Sequence, residues 1–373
     1  MSRIRVLIVD DSASARQALV SLLRDDPGVE VIGAAVDAFD AAEKMRSTLP
    51  DVMLLDLELP RMNGLTFMRK IMAQRPLPVV ICSSHTEAGS RLAMEALEAG
   101  ASEVIGKPRL GSVEARKEAQ IRLSDAIRAA ALAGRNGTAA APRPQEARPA
   151  PRPAPYSKSE KLTADAILPA PRKGGVAPRD MAPVIAIGAS TGGTEALARL
   201  LPKLDPRTPP VVIVQHMPEK FTAAFASRLN GISAVQVSEA VDGDRPEPGR
   251  VLIAPGDRHM LLQRQGRGYR VEVRTGPYVA RHRPSVDVLF RSTAIAAGPA
   301  ALGILMTGMG DDGARGLGEM REAGAETLVQ DEATSVVWGM PGEAMRMGAA
   351  DRAVPLDRLS AEILRYSTNT VSR

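Results

Sequence analysis

The chain has 373 residues, long enough for two domains with full-sized cores, and a formal net charge of +5. Ten Lys and Arg but only four Asp and Glu fall between 126 and 182, so the basic excess belongs to one segment; with 3% aromatic residues, this argues against a nucleic-acid-binding face. A single cysteine, Cys82, excludes a disulfide framework or a cysteine-based metal site within the chain, and no apolar run reaches the ~18 residues of a membrane span, so direct membrane insertion is not expected and a cytoplasmic location is.

From Arg3 to about Ala131, short apolar runs alternate with amphipathic stretches. The runs are Val6 to Val9, Val29 to Val36, Val52 to Leu55, Val79 to Ile81 and Glu103 to Ile105. Helical periodicity fills the intervals at Ser14 to Arg24, Phe39 to Ser47, Leu65 to Arg75, Glu87 to Ala99 and Val113 to Ala130. Five such units with short links predict a doubly wound parallel sheet. Its polar residues collect where strands end: Asp10 and Asp11, Asp56, Ser83 and Ser84, and Lys107 with Pro108. Singly, an Asp at a strand end is a turn or cap residue. Together, three mutually repelling carboxylates suit a hard divalent cation, most naturally Mg²⁺, and the nearby lysine and hydroxyl suit a phosphoryl group.

These positions resemble the receiver domain of two-component response regulators. The resemblance rests on VDD at the first strand end, LLDLELPRMNG around the central Asp, and GASEVIGKP at the fifth strand. It implies a flavodoxin-like domain over residues 1–130 in which Asp56 accepts a phosphoryl group from a histidine kinase. It further implies that Asp10, Asp11 and Asp56, with the backbone carbonyl of Glu58, hold Mg²⁺, that Ser83 is the switch hydroxyl, and that Lys107 contacts the phosphoryl oxygens. Two positions depart from the pattern. Asn63 stands where Asp is common, and Val104 stands where a switch aromatic is usual, so rotation of an aromatic ring is not the signal here.

Residues 131–182 change character. Nine prolines lie between 126 and 182, in company with Ala and Arg, and little apolar periodicity survives. Such a stretch is expected to be a flexible, semi-extended tether.

The segment PVIAIGASTGG, Pro183 to Gly193, opens a second domain spanning 183–373. A buried strand runs into Gly188-Ala189-Ser190-Thr191-Gly192-Gly193, and a helix follows over Thr194 to Leu201 with Thr194 placed to cap it. A serine between glycines at a sharp strand-to-helix turn is presented as a nucleophile; equally, Gly-rich turns of this kind close a turn or cradle a phosphate. Further strands are expected at Val211 to Gln215, Val251 to Ala254, Ala301 to Thr307 and Thr327 to Gln330, with helices at Glu219 to Leu229, Pro284 to Ala297 and Gly313 to Ala323. His259 to Arg274 reads as an antiparallel hairpin turning at Gln265 to Gly268. The whole is a second doubly wound, Rossmann-like parallel sheet joined to the first by the Pro/Ala/Arg-rich linker.

A serine needs a base and an orienting acid. His216 follows one strand directly, and Asp311 and Asp312 lie in the loop GMGDDG after another; if the strands are parallel, these side chains reach one rim with Ser190. His259 and His282 compete with His216 on spacing alone.

GASTGG, QHMP, IAPGDRHM, HRPSVDVLF and TGMGDDGARG, in this order behind a receiver, resemble the chemotaxis protein-glutamate methylesterase (CheB) family. The resemblance implies Ser190 as nucleophile, His216 as base and acid, Asp312 as the orienting acid, the Met309 backbone amide as an oxyanion donor, and no cofactor in this domain. It implies hydrolysis of glutamate methyl esters on methyl-accepting chemotaxis receptors with release of methanol, deamidation of receptor glutamines, and control by phosphorylation. Two rivals remain: a receiver-gated serine hydrolase for another protein ester, and a non-catalytic nucleotide-binding output domain.

Overall fold

The computed structural model describes residues 3–84, 86–108, 113–137, 161–171 and 181–371. The first unit comprises β1 (Ile4–Val9), α1 (Ala13–Leu23), β2 (Val29–Ala35), α2 (Ala38–Ser47), β3 (Val52–Leu55), α3 (Gly64–Gln74), β4 (Val79–Ser83), α4 (Glu87–Glu98), β5 (Glu103–Gly106) and α5 (Val113–Gly137). Its sheet is parallel throughout in the order β2-β1-β3-β4-β5. Each early helix starts on a side-chain cap. Ser12 accepts from the Ala15 amide, Asp37 from Phe39 and Asp40, Asn63 from Thr66, and Thr86 from Gly89. Asn63, the departure at the turn, therefore does what an Asp there would do.

The second unit contains β6 (Val184–Ala189), α6 (Gly193–Leu200), β7 (Val211–Gln215), α7 (Phe221–Ile232), β8 (Gln236–Glu239), β9 (Arg250–Ile253), β10 (His259–Gln265) and β11 (Gly268–Arg274). It continues with α8 (Val286–Ala297), β12 (Ala301–Leu305), α9 (Ala314–Glu322), β13 (Glu326–Gln330), α10 (Met340–Arg346), β14 (Arg352–Val354) and α11 (Leu356–Val371). Seven parallel strands run in the order β14-β13-β12-β6-β7-β9-β8, and β10-β11 forms a separate antiparallel pair. Strand β6 is buried along its whole length between β12 and β7, as its near-continuous apolar sequence requires. The chain leaves β6 towards β7 and returns to its other side at β12, so the carboxyl ends of β6, β7 and β12 meet at the point where the strand order reverses.

The sequence reading did not place β8, α10, β14 or α11, and two of its expectations are corrected by the structure. Thr194 does not cap α6; the cap position is Gly192, which holds φ +78° with no side-chain bond, and Thr194 lies inside the helix. A Cβ at Gly192 would sit 2.6 Å from Val336 side-chain atoms, so both the backbone conformation and the space demand glycine. Within the stretch read as a tether, α5 continues to Gly137 and residues 161–171 are placed against the second unit; residues 138–160 and 172–180 lie outside the described residues.

The receiver-like unit sits on the second unit with α4 packed on α7. Arg228 of α7 is paired to Glu98 at 2.7 Å, and Arg122 of α5 lies over the Tyr278 ring at 5.1 Å.

Candidate active site

Ser190 lies one residue past β6, 7% exposed. Its amide donates to the Thr307 carbonyl at 3.0 Å, and its own carbonyl accepts from the Gly193 amide at 2.7 Å and from Gln215 Nε2 at 2.9 Å. The elbow is thus fixed from both neighbouring strands. A Cβ on Gly193 would fall 2.2 Å from Gln215 Oε1, so the turn is filled by the Gln215 side chain rather than open as a phosphate cradle. On the other side, Gly308 lets the next loop approach; a Cβ there would stand 2.7 Å from the Ser190 Cβ.

His216 directly follows β7, and Asp312 lies in the loop between β12 and α9. Their contact, His216 Nε2 to Asp312 Oδ2, is 2.8 Å. Asp312 is fully buried, and every lone pair has work. Oδ2 also accepts from the Val286 amide at 2.8 Å, while Oδ1 accepts from Ser285 Oγ at 2.8 Å and the Asp287 amide at 3.0 Å. Asp312 therefore caps α8, where Ser285 makes no side-chain cap of its own. The exchange is reciprocal: Asp287 Oδ1 accepts from the Gly313 and Gly316 amides at the start of α9. Burial opposes ionisation of Asp312, but the His216 bond and charge outweigh it and hold its pKa below the usual carboxylate range. Asp287 goes the other way, raised by burial and by the Asp312 charge.

Since Asp312 can only accept, His216 carries its proton on Nε2 and keeps a lone pair on Nδ1. That nitrogen is buried and has no hydrogen-bond partner among the described residues, so the serine–imidazole bond is not formed in this arrangement. His282 stacks on His216 with ring centroids 3.7 Å apart and planes 5° from parallel. It donates through Nδ1 to the Ala280 carbonyl at 2.9 Å, and burial, then the neighbouring His216, keep its pKa well below the ordinary value. A neutral ring face thus covers the imidazole that must accept a proton. His259 turns elsewhere, to the Pro277 carbonyl at 2.8 Å and the Ser285 amide at 3.3 Å. Of the three histidines left open by spacing, only His216 hydrogen-bonds Asp312 with Nδ1 left over; His282 Nδ1 stands 3.9 Å from the same Asp312 oxygen and donates to the Ala280 carbonyl instead.

Ser190, His216 and Met309 line one cleft of about 300 Å³, whose other wall comes from the receiver-like unit. There Thr191, next to the serine, donates through Oγ1 to Glu103 Oε2 at 2.8 Å. Burial first, then the Asp125 charge, push the Glu103 carboxyl up to about 7. Glu103 thus stands on the wall of the cleft, bonded to the residue next to Ser190.

The second cluster lies at the carboxyl ends of β1 and β3. Asp10 and Asp56 are each 1% exposed, Asp11 is exposed, and ligand atoms of the three lie within 4.8 Å of one another. Lys107 Nζ reaches Asp56 Oδ2 at 2.7 Å and Asp10 Oδ2 at 2.9 Å. Burial works against the lysine charge, but these two bonds prevail and its pKa is raised; burial also raises Asp56. Ser83 closes β4 fully buried, 3.5 Å from the Ser84 carbonyl, and the Glu58 amide donates to Asp56 Oδ1 at 3.2 Å. Val104 is buried at 6% exposure. Three hard carboxylate oxygens at this spacing fit Mg²⁺.

Sequence reading did not single out Glu103, Gln215 or Ser285 as site residues. Ser285 fell within the stretch read as the Pro284 to Ala297 helix, and Glu103 and Gln215 are the first residue of β5 and the last of β7, where nothing local marks a polar side chain as aimed at a site.

Comparison with known proteins agrees over both units. A family model described as CheB methylesterase matches residues 185–363, and one described as response regulator receiver domain matches residues 6–114. Protein-glutamate methylesterase/protein-glutamine glutaminase 5 of Anaeromyxobacter dehalogenans is 58% identical, over 97% of this chain and 96% of that protein. Protein-glutamate methylesterase/protein-glutamine glutaminase 2 of Rhodospirillum rubrum is also 58% identical, over 97% of this chain and 98% of that protein. Among solved structures, the crystal structure of the Thermotoga maritima CheB methylesterase catalytic domain is 34% identical, covering 49% of this chain and 98% of that one with a TM-score of 0.48.

Proposed function

The chain belongs to the CheB methylesterase family, and from that premise we propose how its residues carry out phosphorylation-regulated hydrolysis of protein glutamate methyl esters and deamidation of protein glutamines. Ser190 Oγ attacks the γ-carbonyl carbon while His216 Nδ1 takes the hydroxyl proton. The Met309 amide donates to the oxyanion. His216 then returns the proton to the leaving methanol, or to ammonia from a glutamine, leaving an acyl ester on Ser190. Water attacks that ester by the same route in reverse and frees the glutamate. Asp312 holds the ring and stabilises the imidazolium in between. The observation that carries this reading is the 2.8 Å bond from His216 Nε2 to a buried aspartate, which leaves Nδ1 as the base in the cleft that contains Ser190.

The substrates are methyl-accepting chemotaxis receptors, as membership of the CheB methylesterase family implies, and the phosphodonor is the histidine kinase of the same system. Asp56 accepts the phosphoryl group. Asp10, Asp11 and Asp56, with the Glu58 carbonyl, would hold Mg²⁺, which when bound neutralises charge on the phosphoryl oxygens. Lys107 contacts those oxygens, which requires it to turn from its present carboxylate partners, and Ser83 offers its hydroxyl. In the closed arrangement Glu103 stands on Thr191, and phosphorylation shifts the population towards an open one. Methanol release from methyl-labelled receptor membranes tests the assignment: it should occur with the wild-type chain and a small-molecule phosphodonor and vanish with Ser190→Ala. Release that persists in Ser190→Ala would refute it.

A further inference from the structure

The segment 161–168 lies within the stretch that reads as a tether, yet it is bonded at several points to the loops that build the active site. Lys161 Nζ is paired to Asp311, the residue before Asp312. The Leu162 carbonyl accepts from the Ala280 amide at 2.9 Å. Ala164 is 2% exposed and packs with Leu261, Val279, Ala280 and Val288. Asp165 pairs at 2.7 Å with Arg291, which is 2% exposed and also bonds Glu319 and, at 3.2 Å, the Leu168 carbonyl. The Ile167 carbonyl accepts from Arg274 at 3.0 Å, and its side chain lies where a Cβ on Gly276 would fall, at 2.4 Å.

The turn held by Leu162 is strained. Ala280 and Arg281 are consecutive non-glycine residues with φ of +48° and +71°. Side chains in that region persist only where the surroundings over-determine them. The next residue is His282, whose ring lies 3.7 Å from that of His216. One face of the base and the loop carrying its aspartate therefore both rest on this segment.

We propose that residues 161–168 form a positioning strap for the active site: docked, they hold the 279–282 turn and the Asp311–Asp312 loop so that His282 and Asp312 fix the His216 ring. Lys161, Leu162, Ala164 and Asp165 are positioning residues and touch no substrate. The strap belongs to the catalytic unit, and the same stretch of chain that joins the receiver sets the geometry of the base. This rests on the triad assignment above.

The test uses the full chain with saturating phosphodonor. Ala164→Asp places a charge in the apolar seat of the strap; the double variant Lys161→Ala, Asp165→Ala removes its outer ion pairs without burying anything. Hydrogen exchange at the Ala280 amide reports release of the strap. In whichever variant releases it, kcat should fall about tenfold to a hundredfold with KM nearly unchanged, and Ser190 should react with a fluorophosphonate correspondingly more slowly. Ala166→Ser, at an exposed position of the same segment, should keep the wild-type rate. Strap release with unchanged kcat and labelling, or a fall only in melting temperature, would overturn the proposal. A wild-type chain that takes the fluorophosphonate on Ser190 but yields no methanol would instead count against the substrate assignment and leave the strap measurable by labelling.

Discussion

His216 is decided by which of its nitrogens is occupied. Nε2 is committed to an aspartate that also caps a helix, so Asp312 serves the base and the fold at once. Asp312→Asn keeps the shape but presents an amide where only an acceptor serves. We expect kcat to fall by about 10³ to 10⁴ with KM little changed, measured on the phosphorylated chain. Glu103 makes a separate prediction. Burial pushes its carboxyl up to about 7, with Asp125 adding to the rise and the Thr191 bond opposing it, and Arg122 and His216 line the same cleft. Released to water it would titrate at the ordinary value of about 4.3. Between those values the closed form binds the extra proton, so closure is strongest below the lower one, weakens as pH rises through about 7, and is flat above. Fluorophosphonate labelling of unphosphorylated Ser190, taken as the ratio of wild type to Glu103→Gln, should therefore rise between about pH 5 and 7 and then level off. A flat ratio would remove Glu103 from the closure. Ser190 and His216 each directly follow an apolar strand and Asp312 lies in the loop after another, but spacing left His259, His282 and Asp311 open and the family resemblance chose among them; Glu103 was not singled out, because its meaning depends on a domain contact that no local pattern encodes.

At the level of elements, the parallel order β12-β6-β7 brings three distant loops to one rim, and the loops need room to meet. Gly308 provides it. A Cβ there would lie 2.3 Å from Met340 Sδ and 2.7 Å from the Ser190 Cβ, so Gly308→Ala should displace the serine and cost about tenfold or more in kcat, with a smaller change in melting temperature. Wild-type kcat in that variant would show that the loop has slack. The long apolar strands and the His259 hairpin were readable by period alone, and both match. Strand β8 was missed because Gln236–Glu239 is short and polar at an edge, and α10 and β14 because seven and three residues are too few to show a period. Thr194 reads as a cap from its type, but the positive φ of Gly192 starts the helix earlier.

Over the whole molecule, a receiver and an esterase share one cleft, and the contacts across it come from the face next to the phosphorylation cluster. Glu103 begins β5, and Lys107, paired to Asp56, follows that strand's end. Strand β5 thus runs between Lys107 and the Glu103–Thr191 contact, with Val104 where a switch aromatic is usual. Two sheets were legible from alternating periods, but not the docking of residues 161–168, since its anchors Leu162, Ala164 and Ile167 stand among Lys161, Thr163 and Asp165 in a segment too short to show a period. The central claim is that the receiver closes a Ser190–His216–Asp312 esterase and that phosphorylation opens it. Methanol release from methylated receptor membranes by the full chain, with and without phosphodonor, and by Glu103→Ala without it, tests this most directly. The account predicts low release from the unphosphorylated wild type and release about tenfold or more higher both on phosphorylation and in unphosphorylated Glu103→Ala. Equal release from all three samples would contradict it.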